Sequence, residues 1–498
     1  MMIIGGGIGG LALAHGLRQA GIGVAVYERA QARTDWLQGY RIHINPHGSS
    51  ALHACLPRSN WEEFLATVSS TDGGFGFTTD QLSDLLRFTG AEIAGHQDPT
   101  ARHYGVSRIS LREVLLSGLD GAAPVGAAPM GAATNGAVPV GAVPVGAASV
   151  GTASSGAASV GAASSGAVSG GAVSGGAGSG GAGSDSPGSE GVLRLGKRFV
   201  RYEVGPGGVT AYFEDGTTAN ADILVGADGA NSRVRHQLLP HARRDDTGVL
   251  AVAGKYRHDG SAALPRALAE DANMVIPADR GFLFTAVWKH DRKTVATRPD
   301  LPAGLLVDNF LLDNFLLDNT ADYTFWAYAD AADQFPPGAA EMPGDELIRF
   351  VLDRTRTWSP ALRDLFAGSD PQTVNAVPLK SAAPVSPWRT GPVTLLGDAI
   401  HNMTPMGGIG ANTALRDADL LRRNLIAAAR GELGVLDSLG RYEREMLDYG
   451  FRAVKLSLRN TRQAGTPNRA RTAMFKTVLR MVNRVPALRR RMAASFGS

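Results

Sequence analysis

The chain has 498 residues, 44% of them hydrophobic and 19% charged, which supplies core material for roughly two or three domains and excludes a wholly disordered chain. The single cysteine, Cys55, excludes an internal disulfide framework and fits a reducing compartment. The net charge of +3 conceals an asymmetry: residues 450–498 hold twelve Lys and Arg and no Asp or Glu, so that this +12 leaves −9 on residues 1–449.

The first residues lack the basic and long apolar regions of a secretory signal, and no apolar run reaches the length of a transmembrane helix. The expectation is a cytoplasmic chain without a membrane span. It opens on a short apolar strand and Gly5-Gly6-Gly7-Ile8-Gly9-Gly10, which satisfies G-x-G-x-x-G at Gly5, Gly7 and Gly10. A helix over 11–20 and a strand over 24–27 follow, ending at Glu28. In that context Gly5 permits a tight turn, Gly7 lets the backbone approach a pyrophosphate, and Gly10 lets the helix pack close to the sheet. The helix N-terminus offers free N–H groups to phosphates. Glu28 is placed to accept hydrogen bonds from a ribose diol.

The next segment, Arg41-Ile42-His43-Ile44-Asn45, alternates so that a strand would put Arg41, His43 and Asn45 on one face. His43 reads as a hydrogen-bonded structural histidine, with an acid–base role as the alternative. Ser107-Arg108-Ile109-Ser110-Leu111-Arg112 begins a helix. Glycines then recur every five residues from Gly121 to Gly166, and positions 121–184 contain no charged or aromatic residue. Such a stretch buries too little area to offset backbone entropy of ~1–2 kcal/mol per residue, and it is expected to be a flexible loop. A second tandem duplication, Asp308-Asn309-Phe310-Leu311-Leu312 repeated from Asp313 to Leu317, has no assigned role.

Two further strand–turn patterns follow. Asp222-Ile223-Leu224-Val225 leads into Gly226-Ala227-Asp228-Gly229, and Val393-Thr394-Leu395-Leu396 leads into Gly397-Asp398-Ala399-Ile400-His401. After the latter come Pro405-Met406-Gly407-Gly408-Ile409-Gly410-Ala411-Asn412 and a helix. Between them, β-rich runs at 249–256, 282–288 and 323–328 suggest an antiparallel sheet. Phe282, Phe284, Trp288, Phe325, Trp326 and Tyr328 could line a hydrophobic site, with about half expected on the opposite face by alternation. In the basic tail, Met474, Val478, Met481, Val482, Val485, Leu488 and Met492 recur at helical spacing. They predict a helix that buries this face on the acidic body, with an anionic membrane surface or nucleic acid as the other reading.

Taken together and in order, these three motifs resemble the single-component (group A) flavoprotein monooxygenases, the aromatic hydroxylases. The resemblance implies an α/β fold: a Rossmann-like FAD-binding domain, an antiparallel-sheet substrate domain and C-terminal helices. The expected organisation is FAD-binding parts at 1–117, 191–244 and 386–430, the insert at 118–190, the substrate sheet at 245–385 and basic helices at 431–498. It implies that Glu28 holds the adenosine ribose, Asp228 orients the pyrophosphate region and Asp398 binds the ribityl chain. Arg41 and Arg108 would contact FAD, Pro405 would sit near the flavin ring, and Gly410, Ala411 and Asn412 would present backbone N–H groups to its pyrimidine edge.

The implied cofactor is FAD, with NADH or NADPH as co-substrate and O2 as oxidant through a flavin C4a-hydroperoxide. The implied partner is a small hydrophobic or aromatic, polyketide-like substrate, with no nucleic acid and no metal. No residue is assigned as catalytic, because the cofactor carries the hard chemistry. A reductase without oxygen insertion, a Baeyer–Villiger outcome and a flavin-bound interaction protein remain alternatives. The substrate, the nicotinamide choice and the oligomeric state are left open.

Overall fold

A computed structural model describes residues 1–32, 41–69, 74–94, 98–119, 191–258, 264–289, 322–465 and 469–496. The pentapeptide repeat at 121–184 and the duplication at 308–317 lie outside the described residues.

The first sheet is parallel throughout, in the order Val393–Leu395, Leu224–Gly226, Met2–Ile4, Ala25–Tyr27 and Leu193–Arg194. Its strands are apolar and its centre is fully buried, as parallel sheets covered on both faces require. The Ile8–Gln19 and Gly410–Ala429 helices pack on it and on each other. Their contact is close because Gly9 and Gly16 carry no side chain: a Cβ at Gly9 would lie 3.1 Å from the Ala414 oxygen, and one at Gly16 2.3 Å from Arg422. Register aligns Ile4 with Gly226 and Gly226 with Leu395, so three successive strand–turn motifs leave the sheet side by side at its carboxyl edge.

The second large sheet has seven strands in the order Asn375–Ala382, Arg244–Arg257, Tyr323–Ala331, Phe282–Trp288, Ala272–Ile276, Phe75–Thr79 and Asp84–Phe88. It is mixed, not purely antiparallel, because Ala272–Ile276 pairs parallel with Phe75–Thr79. Its last two strands come from positions 75–88, well before the 245–385 stretch expected to supply the whole sheet. They could not be placed there by spacing, since the pairing spans nearly two hundred residues of chain.

Alternation gives this sheet two faces with different fates. Trp326, Tyr328 and Leu283 point into a core with Leu347, Val351, Leu362 and Phe366 from the helices Gly344–Arg354 and Pro360–Ala367. Trp326 is fully buried, stacks edge-on to Phe366 at 4.9 Å and donates its indole N–H to Ser369 Oγ at 2.7 Å. Phe282, Phe284, Trp288 and Phe325 point the other way, as the pairing of Phe284 with Ala327 and of Phe325 with Ala286 requires.

The C-terminal part forms three helices, Val435–Gly465, Arg469–Arg484 and Pro486–Phe496. The second helix covers the Asp84–Phe88 edge through Leu479 and Val482. The expected burial of the apolar tail face holds only for Val482 and Met492, which pack on that cluster. Met474, Val478, Met481, Val485 and Leu488 are exposed, at 65%, 41%, 52%, 38% and 40%. The body is reached by the adjacent helix flank carrying Leu479, so the exposed stripe is turned away from it.

Candidate functional site

The site grows from the carboxyl edge of the parallel sheet. Gly5 takes φ +105°, and a Cβ there would meet the Ala227 carbonyl oxygen at 2.4 Å, so only glycine lets the first and second motifs touch. A Cβ at Gly10 would lie 2.4 Å from the Gly5 oxygen, which fixes the helix against its own turn. Gly7 differs: a Cβ there would meet nothing nearer than Ala227 O at 4.0 Å. The loop is therefore closed where it packs and open where a phosphate would approach. Gly7 is the N-cap of the first helix with no capping side chain, which leaves its first amides for a ligand.

Glu28 is buried and turned onto this loop. It accepts from Gly6 N at 2.6 Å and from Ala30 N at 3.1 Å, so it braces the turn as well as bordering it. Of the two arginines at the Arg108–Leu116 helix, Arg108 is exposed, and Arg112 is the one that reaches the loop, donating to Gly6 O at 2.8 Å. Burial pulls the Arg112 guanidinium down to about 10, with Glu28 opposing that shift. Helical spacing explains why Arg112 reaches the loop: the helix buries Ile109, Leu111, Val114 and Leu115, and Arg112 flanks that face.

Asp228 caps the Arg233–Leu238 turn, its Oδ2 accepting from Arg233 N at 2.7 Å and Val234 N at 3.3 Å. Its Oδ1 is buried with no hydrogen-bond partner among the described residues, and burial raises its pKa. Arg235, quoted only as part of the motif, ties this turn to the third one by donating to Ala399 O at 2.8 Å.

In the third motif Asp398 is exposed at the start of the Asp398–His401 turn, while its neighbours are buried. Beneath it lies a network that spacing alone did not mark. Asp417 Oδ2 meets His401 Nε2 at 2.6 Å and accepts from Gly397 N at 2.8 Å, and Asp417 Oδ1 accepts from the Tyr449 hydroxyl. Burial opposes the charge on His401, and Asp417 overcomes it and raises the His401 pKa. The signal was present as a histidine two turns ahead of a helix carrying Asp417, but the facing of that helix is a tertiary property.

Pro405, Gly407 and Gly408 are exposed. Gly407 and Gly408 take φ +114° and +64°, and a Cβ at Gly407, Gly408 or Gly410 would meet nothing closer than 3.7 Å. The result is a platform bare of side chains, ending at the uncapped N-terminus of the Gly410–Ala429 helix. Gly410, Ala411 and Asn412 are its first three residues. The Asn412 side chain is a clip: it accepts from Asn45 N at 2.8 Å and donates to His43 O at 2.8 Å and Gly408 O at 3.0 Å.

That clip brings in the ribbon of Arg41–Ile44 paired with Tyr104–Ser107. Arg41, His43 and His103 share one face. The guanidinium of Arg41 lies over Gly105, where a Cβ would be 2.6 Å from it, and Arg41 Nε is buried without a hydrogen-bond partner among the described residues. His43 Nε2 lies 2.8 Å from His103 Nδ1. Burial, with Arg41 and His103 nearby, pushes His43 down to about 3, so the pair is neutral near pH 7. The ribbon borders the outward face of the seven-stranded sheet, where Tyr323 stacks on Trp288 at 5.5 Å and lies close enough to Arg41 to favour its charge. Met406 of the platform packs on Phe282 and Ala329 of the same face.

The arrangement fits the dinucleotide that the resemblance implies. Gly5, Gly7, Gly10, Glu28, Asp398, Pro405, Gly410, Ala411 and Asn412 lie along one edge and its platform. Arg41 lies across the ribbon, Asp228 reaches the same edge with one orphaned oxygen, and Arg108 is exposed at the start of its helix.

Comparison with known proteins agrees. A family model described as an NAD(P)-binding Rossmann-like domain matches residues 3–67, and one described as an FAD binding domain matches residues 355–457. The chain is 31% identical to a crystal structure from Photorhabdus luminescens described as an FAD-containing monooxygenase, with a TM-score of 0.69 over 93% of this chain and 97% of that one. It is 26% identical over 88% of its length to a dual O-methyltransferase/FAD-dependent monooxygenase of Phaeosphaeria nodorum, of which it spans 42%. It is 30% identical to an FAD-dependent urate hydroxylase of Klebsiella pneumoniae over 51% of this chain and 56% of that protein.

Proposed function

The chain belongs to the FAD-dependent monooxygenases of the aromatic hydroxylase family, and on that premise we propose that it binds FAD and uses NAD(P)H and O2 to hydroxylate an aromatic or polyketide-like substrate. The observation that carries the reading is the side-chain-free platform at 407–410, whose neighbour Met406 packs on the aromatic face of the second sheet.

Bound there, FAD supplies hydride acceptance from the nicotinamide and activation of O2 for transfer of one oxygen atom. The protein's part is positioning. The first-helix N-terminus and the open flank of Gly7 take the pyrophosphate, Glu28 the adenosine end and Asp398 the ribityl hydroxyls. The amides of Gly410, Ala411 and Asn412 favour negative charge on the reduced ring. Phe282, Phe284, Phe325 and Met406 exclude water from the reacting face.

Arg41 places a buried positive charge at the border of this space, which suits a substrate that reacts as a phenolate, enolate or similarly acidic ring. The neutral His43–His103 pair, adjacent to it, can hold or pass one proton through Nε2 and Nδ1. Urate is the substrate named for one relative, and a planar, acidic, aromatic molecule is the class proposed for this chain. The single, buried thiol of Cys55 needs no oxidised partner, in keeping with work in the cytoplasm.

The test is O2 uptake by FAD-loaded protein while phenolic, polyketide-like and purine compounds are screened for stimulation of NAD(P)H oxidation, with mass spectrometry of the product. Gain of one oxygen atom in a stimulating compound supports the reading. NAD(P)H oxidation that leaves every compound unoxygenated makes the protein a reductase, and no flavin binding at all removes the proposal.

A further inference from the structure

Two asparagines stand at the glycine platform, and their side chains differ in what they hold. The Asn412 carboxamide is committed to the clip, accepting from Asn45 N and donating to His43 O and Gly408 O. Asn460, on the Val435–Gly465 helix, is half-buried, and its carboxamide makes no hydrogen bond among the described residues. Its Nδ2 lies 3.9 Å from where a Cβ of Gly407 would stand. At Gly408 and Gly410 the nearest atoms to such a point are carbons, His43 Cβ at 3.8 Å and Met403 Cγ at 3.7 Å. Among the described residues, Asn460 therefore brings the one polar side-chain atom that comes this close to the three open glycines.

The turn that carries Asn460 is fastened to the root of the platform. The Thr404 hydroxyl, three residues ahead of Gly407, meets Ser457 Oγ at 2.5 Å and Thr461 Oγ1 at 2.6 Å. Ser457 Oγ also donates to Thr404 O at 2.6 Å, and Thr461 Oγ1 to Ser457 O at 2.9 Å. All three residues are buried, so each hydroxyl left unmet would cost free energy, and the cluster holds the helix in one place against Thr404. Asn460 follows Ser457 by three positions, which sets it on the same flank of the helix. Asparagine is a poor helix former because its short amide competes for backbone groups. Here the amide takes none of them, so the helix gains nothing from it, whereas a ligand on the platform does.

We infer that Asn460 is a flavin-contacting residue, its carboxamide hydrogen-bonding the isoalloxazine ring of FAD at the Gly407 end of the platform. The inference rests on the function proposed above. The chemistry matches: the polar edge of that ring carries carbonyl oxygens that accept and an N–H that donates, and an amide answers both. The charge matches as well. A neutral amide serves the oxidised and the reduced ring alike, whereas a carboxylate in its place would repel the negative charge of the reduced form.

The experiment uses the full-length protein, stripped of flavin and titrated with FAD by fluorescence quenching and with ADP by calorimetry. ADP shares the adenosine and pyrophosphate of FAD and lacks the ring. Asn460→Leu should weaken FAD binding about three- to tenfold, the worth of one neutral hydrogen bond, with ADP affinity and the melting temperature of the apoprotein unchanged. Asn460→Asp keeps the shape and adds a charge. Loaded with saturating FAD, it should show a two-electron midpoint potential about 30 mV below that of the unaltered protein, equivalent to a tenfold bias against the anionic reduced ring.

Unchanged FAD affinity in Asn460→Leu overturns the inference. So does an equal loss for FAD and ADP, which would make the residue a support of the fold and not a contact of the ring. An unshifted potential in Asn460→Asp overturns it too, because a charge touching the ring cannot leave the reduced form unaffected. Failure of the unaltered protein to bind FAD is a separate result: it withdraws the proposed function, and this inference with it.

Discussion

Gly10 and Met481 both sit in regular sequence patterns, one in G-x-G-x-x-G and one in a helical apolar repeat. Gly10 is pinned by a backbone oxygen 2.4 Å from where its Cβ would be, whereas Met481 is 52% exposed. A glycine pattern is a statement about how closely backbone approaches backbone, and at Gly10 that reason lies within its own turn. An apolar helical repeat says only that some surface wants covering, and what covers it is decided by another part of the fold or by another body. The first kind of pattern therefore carries its structural meaning with it, and the second does not.

The sharpest way to break this contrast is to put side chains on the glycines. Gly10→Val would drive atoms into the Gly5 oxygen and Ile3, and it is expected to abolish folded, flavin-loaded protein, measured as soluble yield and near-ultraviolet circular dichroism. Gly7→Ala meets nothing within van der Waals reach, so the melting temperature should hold while FAD affinity falls by about tenfold or more. If Gly7→Ala unfolds the protein and keeps its flavin, the division of labour between these two glycines is wrong.

The seven-stranded sheet falls between the two cases. Its alternation predicted two faces but could not say which was which. Trp326→Ala removes a fully buried ring from the helix-covered core and should cost about 3–5 kcal/mol in denaturant unfolding. Phe284→Ala, on the half-buried outward face, should cost under about 1.5 kcal/mol and change KM for the substrate instead. Equal losses at the two positions would mean that both faces are core.

Much of the fold and site was legible because it is local. The three strand–turn motifs follow strands at 2–4, 224–226 and 393–395, as their apolar runs predicted, and their alignment follows from neighbouring parallel strands; the ligand roles of Glu28, Asp398 and 405–412 rest on the resemblance. Arg112, Asp417, Tyr449 and His103 were not legible as site residues. Each acts through a partner distant in sequence: Arg112 through Gly6, Tyr449 and His401 through Asp417, and His103 through His43. The strands at 75–88 were missed for the same reason, since only pairing with Ala272–Ile276 gives them a sheet.

The two regions should also differ in their response to acid. His15, buried in the first helix, bonds Leu115 O at 2.9 Å, and burial lowers its pKa from 6.5 to about 4. It is neutral in the folded state and protonates sooner when unfolded. Its contribution to stability is therefore complete above about pH 6.5 and is lost as pH falls toward 4. That interval of 2.5 units at 1.36 kcal/mol each is on the order of 3 kcal/mol. His15→Gln should flatten the fall of unfolding free energy between pH 6.5 and 4; an unchanged slope would place the acid sensitivity elsewhere.

Asp398→Ala tests the edge where it meets ligand rather than protein. The carboxylate is exposed, so its removal leaves no orphaned partner inside the fold. A charged hydrogen bond contributes roughly 1.5–3 kcal/mol, or about 10- to 150-fold in FAD affinity, with the melting temperature of the apoprotein unchanged. Full flavin occupancy of this variant at low micromolar FAD would withdraw Asp398 from the site.

The smallest effect belongs to the tail and is the most discriminating. Leu479 and Met481 lie two residues apart on one helix, with Leu479 only 1% exposed beneath the Asp84–Phe88 edge and Met481 on the outward stripe. Leu479→Ala should cost about 2–5 kcal/mol, because it opens a cavity against Leu86 and Phe88. Met481→Gln should change unfolding free energy by no more than about 0.5 kcal/mol, since it removes no contact with the body and exchanges one helix-compatible residue for another. If Met481→Gln instead destabilises the isolated protein by as much as Leu479→Ala, the stripe is covered by this chain in solution, and the repeat at 474–488 was core after all. If it is neutral, the apolar repeat is kept for something outside the chain.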